Sequence, residues 1–362
     1  MMHLVASLAV ATLLVVPPVA GGKTDSPAPQ AVVLLDAPTA SPAPASLAVG
    51  RWLQVNQDPK SYSTGVIDVE AVMVDIAERT QLQPPEWVML DFEEPFFADL
   101  ARPADAPERQ RAVRSMLDAL RAAKRRYPST KWGFYGLPNV PFWVAGKGWG
   151  ELAPGERASA LARFESAARE VLAEADWVSV SCYDYYDPRL VDPTKTTSIR
   201  GTPDQSIRNG IAWRTAQVEA ARRLAGSRPV VVNVCPFWAP GGIAPVCRLI
   251  PVADFVSRQV APCLEAGADG IAIWGNYPYR VERATSSEAD APGVEIGFGR
   301  DAWRAAITAD FLGGSAPPDW SDPVLRRRLN SLTGSALLQR VAAVRDWESR
   351  RTRPRNGPGG TN

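Results

Sequence analysis

Short apolar segments alternate with long amphipathic ones along most of the chain, and this alternation restricts the fold more than any other feature. The short segments are rich in Val, Ile and aromatic residues, as strands covered on both faces are. The long segments carry apolar residues at helical spacing. The predicted strands are 46–55, 86–92, 131–137, 176–183, 228–234 and 269–275. The predicted helices are 71–80, 109–127, 158–175, 211–226, 251–267 and 301–312. This order predicts an α/β fold of parallel strands joined by crossover helices.

Parallel strands joined by crossover helices occur both in barrels and in doubly wound sheets. The doubly wound sheet is disfavoured because no Gly-rich phosphate loop follows any predicted strand. Residues 47–313 have a length that suits one (β/α) barrel. We therefore predict a (β/α)8-type TIM barrel, allowing for distortion or for seven strands. Residues 314–362 are predicted to form a C-terminal helical extension that ends in a disordered tail.

The N-terminal residues are typical of an export signal. Residues 1–22 contain an apolar run that ends in small residues, as a signal peptide does. The run is too short to cross a membrane comfortably, so no stable membrane anchor is predicted. Residues 23–46 are predicted to be a Pro/Ala-rich linker, although AVVLLD within it has the composition of a short strand. We expect cleavage near Gly22 and a secreted or periplasmic protein.

Charge and cysteine content exclude some functions and leave others open. The formal net charge of +1 predicts no strong attraction to nucleic acid. Export would permit disulfides. The spacing of the four cysteines matches no zinc motif, and a bridge between Cys235 and Cys247 is favoured because they flank a Pro/Gly-rich loop. The alternative is that Cys182, Cys235, Cys247 and Cys263 are unpaired residues of the core.

Histidine is almost absent. The one histidine, His3, lies in the predicted signal peptide, so the mature chain is expected to have none. Catalytic Ser-His-Asp and Cys-His arrangements and His-bearing zinc sites are therefore excluded. Acid/base chemistry falls to carboxylates, Tyr, Lys or Cys. An all-carboxylate metal site stays open, and no cofactor is predicted.

Two carboxylates stand at the end of the second predicted strand. The active site of a (β/α) barrel lies at the C-terminal ends of its strands. Asp91 and Glu93 are two residues apart and are expected to share a face of the strand. A carboxyl group held beside a second one suits proton transfer to a leaving oxygen, as in glycoside hydrolysis. The alternative is an acidic strand end that binds a helix terminus or an arginine.

Aromatic and polar residues end the other predicted strands. They are Tyr135, Tyr183, Asp184, Asn233 and Trp274. Sugar rings stack on aromatic side chains, and their hydroxyls need polar partners, so these residues predict a carbohydrate cleft. A core role for the aromatic residues and a turn role for Asp184 are the structural alternatives.

The strand ends resemble those of a known family. Residues 91–94, DFEE, match the Asp-x-Glu-Glu motif that follows an apolar strand in the hyaluronidase family of glycoside hydrolases. Segments 125–140, 176–186 and 267–276 resemble that family's later strands, in the same order. The ordered set covers roughly residues 65–277.

The resemblance implies a distorted (β/α) barrel and substrate-assisted hydrolysis with retention of configuration. It implies that Glu93 is the acid/base and that Asp91 orients the N-acetyl group of the substrate. It further implies that Tyr183 contacts that group and that Trp274 walls the subsite. Asn233 stands where the family has a second Tyr and is expected to hydrogen-bond the acetamido group.

The function predicted from these residues is that of a secreted glycosidase acting on a glycan that contains N-acetylhexosamine. Tyr135 and Asp184 are predicted to join the substrate-binding residues. The expected partner is a polysaccharide or oligosaccharide, without nucleic acid, and the oligomeric state stays open. One alternative is a secreted carbohydrate-binding barrel without catalysis. Another is a glycosidase in which a carboxylate is the nucleophile.

Overall fold

The protein is described by a computed structural model, which covers most of the chain from residue 31 to residue 352. The described residues are 31–36, 49–81, 84–184, 202–238, 248–274, 300–313 and 318–352.

Parallel strands form the centre of the molecule. Six of them make one sheet: β1 (Val32–Asp36), β2 (Val49–Asn56), β3 (Trp87–Asp91), β4 (Lys131–Phe134), β7 (Val231–Val234) and β8 (Gly270–Ile273). Their order in the sheet is β4-β3-β2-β1-β8-β7, and every pairing is parallel. A separate antiparallel hairpin consists of β5 (Trp143–Val144) and β6 (Lys147–Gly148).

Residues 176–183, here called the closing segment, join the two edges of this sheet. On one side, the segment forms parallel bridges to β7 and its approach, Val178 with Val230 and Ser181 with Asn233. On the other side, the Asp176 N–H donates to the Trp132 carbonyl at 2.8 Å, and the Leu137 N–H donates to the Ser179 carbonyl at 3.1 Å. The sheet is therefore closed into a (β/α) barrel, in which the closing segment is the seventh of the described parallel segments. This confirms the predicted fold class, a (β/α) barrel.

The barrel interior is lined by alternate residues of each strand. The amide Nδ2 of Asn233 on β7 lies 3.3 Å from Sδ of Met89 on β3. Because these two strands are not neighbours in the sheet, the contact crosses the interior. Met89 therefore faces inward, and so do Trp87 and Asp91 on the same face of β3. The ring of Trp87 packs edge-on against Trp177 of the closing segment, with centroids 5.5 Å apart.

Helices cover the outside of the barrel and connect its strands. They are α1 (Ser61–Thr64), α2 (Val69–Thr80), α3 (Phe96–Leu100), α4 (Pro107–Arg126), α5 (Pro154–Leu172), α6 (Pro203–Ala225), α7 (Val252–Asp254), a π-helix (Phe255–Val260), α8 (Ala261–Glu265), α9 (Arg300–Phe311) and α10 (Pro323–Thr352). The helix predicted over 211–226 begins earlier, at Pro203, because Thr202 accepts the Gln205 N–H and Pro203 occupies the first turn.

The barrel begins before the predicted boundary at residue 47. The predicted strand AVVLLD within the linker is present as β1, which pairs with both β2 and β8. The linker range 23–46 is thus corrected, because residues 32–36 belong to the barrel. Helix α10 forms the predicted helical extension and packs on the barrel, while the predicted disordered tail, the signal peptide and the rest of the linker lie outside the described residues.

Candidate active site

Asp91 is the last residue of β3 and faces the top of the barrel interior. Its side chain is buried, with 8% exposure. The amide Nε2 of Gln54 on β2 donates to Oδ2 of Asp91 at 2.5 Å and also lies 3.0 Å from Oδ1 of Asn56. The register of β2 and β3 pairs Asn56 with Asp91, so these inward-facing polar residues lie side by side. A buried carboxylate with a fixed amide donor is well suited to orienting a substrate group.

Glu93 lies two residues beyond Asp91, in the turn that leads from β3 to α3. Its side chain is exposed, whereas Phe92 between them is buried. The side chain of Gln57 contacts the turn twice: its Oε1 accepts the Glu93 N–H and its Nε2 donates to the Glu94 carbonyl, both at 2.8 Å. The two predicted carboxylates therefore occupy different environments at one strand end.

Tyr183 and Tyr135 lie together at the C-terminal ends of their strands. Their ring centroids are 6.2 Å apart, and the Tyr135 hydroxyl is 3.1 Å from Oγ of Ser181. Burial raises the pKa of the Tyr183 hydroxyl well above its usual value, and the neighbouring Tyr135, Cys235 and Asp91 act in the same direction. Tyr183 therefore keeps its proton and remains a hydrogen-bond donor.

Two further aromatic side chains, those of Trp274 and Phe237, pack beside these tyrosines. The Trp274 ring stacks on Tyr183 with centroids 5.7 Å apart and planes inclined by 27°. Phe237 contacts the same tryptophan at 5.7 Å. Trp274 is half-buried, whereas Tyr183 and Phe237 are buried. The structure thus brings Asp91, Tyr135, Tyr183 and Trp274 to one end of the barrel.

Asp184 follows Tyr183 and faces a buried cation. Nη1 of Arg214 on α6 lies 3.7 Å from Oδ1 of Asp184 and donates to the Tyr183 carbonyl at 3.2 Å. Arg214 is 1% exposed, and its Nε donates to the Arg258 carbonyl. This arrangement holds the end of the closing segment, and the contact of Asp184 with substrate stays a prediction.

Asn233 lies inside the barrel, below Asp91. Its side chain has no exposed area, and its Nδ2 donates to Oγ of Ser179 at 2.6 Å and to Met89. These contacts lie one layer below Asp91, since Met89 precedes it on the inward face of β3. Asn233 therefore supports the interior under the site, and its expected contact with an acetamido group stays a prediction.

Four side chains at the site were not singled out from the sequence. They are Gln54, Gln57, Ser181 and Phe237. A signal for Gln54 was present, because Trp52, Gln54 and Asn56 alternate along one strand and put amides on the inward face. Gln57 lies beyond the strand, where alternation no longer predicts direction.

A cavity of about 300 Å³ lies beside Gln57, whose side chain binds the turn after β3. Its lining includes Asn56, Gln57 and Asp58 from the end of β2 and Asp75 and Arg79 from α2. Neither Asp91 nor Glu93 lines it. We therefore assign no substrate to this cavity, although it brings solvent close to Gln57.

The described cysteines are part of the core. Cys182, Cys235 and Cys263 are buried, and burial raises the pKa of the Cys182 thiol well above its usual value. A protonated, buried thiol is a poor nucleophile. Cys247 lies outside the described residues, so the bridge between Cys235 and Cys247 stays a prediction.

The described residues contain neither a metal-binding cluster nor a membrane-spanning helix. Within those ranges, no group of three or more His, Cys, Asp or Glu side chains is arranged to hold a metal ion. No helix in the described part of the chain is long and apolar enough to cross a membrane.

No family model and no curated protein matches the chain. Solved structures with a similar fold include three glycoside hydrolases. Bee venom hyaluronidase in complex with a hyaluronic acid tetramer is 13% identical, with 62% of this chain and 78% of that chain covered and a TM-score of 0.41. GH5_18 from Streptomyces cattleya is 16% identical, with 86% and 82% covered and a TM-score of 0.32. Endo-glycoceramidase II from Rhodococcus sp. is 17% identical, with 67% and 72% covered and a TM-score of 0.29. At these values the similarity assigns no activity to this chain.

Proposed function

We propose that this protein is a glycosidase that hydrolyses a glycan containing N-acetylhexosamine, with retention of configuration. The observation that carries the proposal is the pairing of two differently placed carboxylates at one strand end. Asp91 is buried and accepts a hydrogen bond from Gln54, whereas Glu93 is exposed two residues further on. Proton transfer to a leaving group needs an accessible acid, and orientation of a substrate group needs a fixed acceptor.

In the proposed first step, Glu93 gives its proton to the glycosidic oxygen. The carbonyl oxygen of the substrate's own acetamido group forms a bond to the anomeric carbon as the bond from that carbon to the glycosidic oxygen breaks. Asp91 accepts a hydrogen bond from the acetamido N–H and stabilises the positive charge that develops there. Tyr183, which keeps its proton, donates to the acetamido oxygen, and Trp274 stacks against the sugar.

In the second step, water attacks the anomeric carbon and gives a proton to Glu93. The bond from the acetamido oxygen to that carbon breaks, so two inversions restore the original configuration. No carboxylate nucleophile is required, which suits a pair placed on one strand end better than the facing pair of the usual retaining scheme. Export is part of the proposal, and it is supported by the apolar N-terminal run of residues 1–22.

A glycan-library screen between pH 4 and 7 tests the proposed function. New reducing ends should be released by the wild-type protein from at least one glycan containing N-acetylhexosamine. The Asp91→Asn/Glu93→Gln double variant, prepared identically, provides the blank for contaminating enzymes. Equal release by both preparations, or none by the wild type, would refute the proposal.

A second candidate is a carbohydrate-binding barrel without catalysis. It is favoured by two departures from the resembled family: Pro95 stands where that family has an aromatic residue after the two glutamates, and Asn233 stands where it has a tyrosine and is fully buried. Calorimetric titration of the same glycans separates the candidates. Binding without any release of reducing ends would establish the second candidate, whereas turnover above the blank would exclude it.

A further inference from the structure

The buried side chain of Gln57 binds the backbone of the turn that carries Glu93. Residues 92–95 lie between β3 and α3, where strand pairing has ended. Gln57 accepts the Glu93 N–H through Oε1 and donates Nε2 to the Glu94 carbonyl, each at 2.8 Å. The main-chain N–H of Gln57 also donates to the Asp91 carbonyl, at 3.1 Å. Gln57 thus binds backbone groups on both sides of Glu93.

The amide of glutamine matches both backbone groups of this turn. A primary amide offers one acceptor and one donor in the plane of the group, so it satisfies an N–H and a carbonyl at once. Gln57 is 6% exposed, and leaving such buried groups without partners is costly. Glutamate at this position would keep the acceptor but set a second oxygen against the Glu94 carbonyl. Methionine would fill similar space without either hydrogen bond.

We propose that Gln57 is a positioning residue for the catalytic acid, an inference that rests on the proposed function. The carboxyl group of Glu93 projects from this turn, so a shift of the backbone that Gln57 binds also shifts the carboxyl group. A displacement of about 1 Å in a reacting group can reduce a rate by about 100-fold. Gln57 therefore acts on proton transfer through the backbone of Glu93, without touching substrate.

The test compares Gln57→Met and Gln57→Glu with Gln110→Met. Gln110 is exposed on α4, so its variant makes the same chemical change away from the site. Two readouts are taken on proteins whose circular dichroism matches the wild type. The first is kcat and KM on a glycan that the wild type cleaves. The second is hydrogen exchange of the amides of residues 92–94, followed by mass spectrometry.

Both Gln57 variants should lower kcat by about 10- to 100-fold while KM changes less than about threefold. They should also speed exchange in the turn, and Gln110→Met should match the wild type in both readouts. A general loss of stability would not confine faster exchange to the turn or separate kcat from KM. Wild-type kcat, or unchanged exchange in Gln57→Met, would overturn the inference.

Failure of the proposed function would be distinguishable from failure of the inference about Gln57. In that case the wild-type protein would cleave no glycan in the screen. Hydrogen exchange then still decides whether Gln57 holds the turn, and faster exchange without any wild-type turnover would limit Gln57 to a structural role and overturn its proposed effect on catalysis.

Discussion

At the scale of single residues, Asp91 and Glu93 differ because the strand ends between them. Alternation along β3 correctly predicts an inward Asp91, since Met89 on the same face contacts Asn233 across the barrel. The expectation that Glu93 shares this face has no such basis, because β3 ends at Asp91. Beyond the strand end, Gln57 binds the backbone N–H of Glu93. These two residues are 36 positions apart, so no local sequence pattern predicts their contact.

The pH dependence of stability tests the burial of Tyr183. Burial raises the pKa of this hydroxyl above its usual value of about 10. Above that pH the unfolded chain loses the proton while the folded chain keeps it, so the free energy of unfolding falls as the pH rises. The slope for one such group is about 1.4 kcal/mol per pH unit until the folded pKa is reached. Urea unfolding of Tyr183→Phe should therefore show a shallower fall above pH 10 than the wild type.

Tyr62→Phe is the matched control for this measurement, because Tyr62 is 59% exposed. Equal slopes in the two variants would contradict the assigned burial effect. A steeper fall in Tyr183→Phe than in the wild type would contradict its sign.

At the scale of elements, the closing segment depends on side chains from the helix that follows it. Residues 176–183 were predicted to be a strand, and parallel bridges to β7 confirm their place in the barrel. Two residues of α6 also bind its carbonyls: Gln217 donates to Ser181 and Arg214 donates to Tyr183. Apolar content predicts the strand, but these side-chain bonds depend on tertiary packing and were not predictable.

Contact between β4 and the closing segment requires a glycine. A Cβ at Gly133 would lie 2.7 Å from Cε2 of the buried Trp177 ring, which has no space to move. Gly133→Ala should therefore lower the free energy of unfolding by about 1–3 kcal/mol, measured by urea denaturation.

Gly155→Ala serves as the control, because a Cβ there meets nothing within 4 Å and the residue lies in helix α5. It should raise the free energy of unfolding by up to about 1 kcal/mol. Wild-type stability in Gly133→Ala would show that the barrel accommodates the added methyl and would contradict the close contact.

At the scale of the whole molecule, the fold is completed by β1 at the start of the alternating strands and helices and by α10 at their end. Strand β1 lies where a linker was expected, because its composition is strand-like but its neighbours are rich in Pro and Ala. Helix α10 reaches the start of that strand. Glu348 accepts the Ala31 N–H at 2.7 Å, and Arg345 donates to the Ala31 carbonyl at 2.6 Å. The alternation of strand-like and helical segments predicted the fold class. The contacts between α10 and β1 join distant parts of the chain and leave no periodic pattern in the sequence, so they could not be predicted.

Helix α10 is expected to contribute substantially to stability. Leu337 is 3% exposed and packs in the same apolar cluster as the barrel strands. Leu337→Ala should lower the free energy of unfolding by about 2–5 kcal/mol through lost contacts and a cavity. Val324→Ala, on the same helix but 59% exposed, should change it by less than about 0.5 kcal/mol. Equal small effects in urea denaturation would mean that α10 is not part of the cooperative fold.

The most direct test of the proposed mechanism is the kcat of Glu93→Gln beside that of Glu94→Gln. Both substitutions remove one charge from an exposed neighbouring glutamate. On a glycan that the wild type cleaves, Glu93→Gln should lose at least about 100-fold in kcat, because general acid catalysis contributes that much or more. Glu94→Gln should retain most of the activity. Full activity in Glu93→Gln, or equal losses in both variants, would contradict the assignment of Glu93 as the catalytic acid.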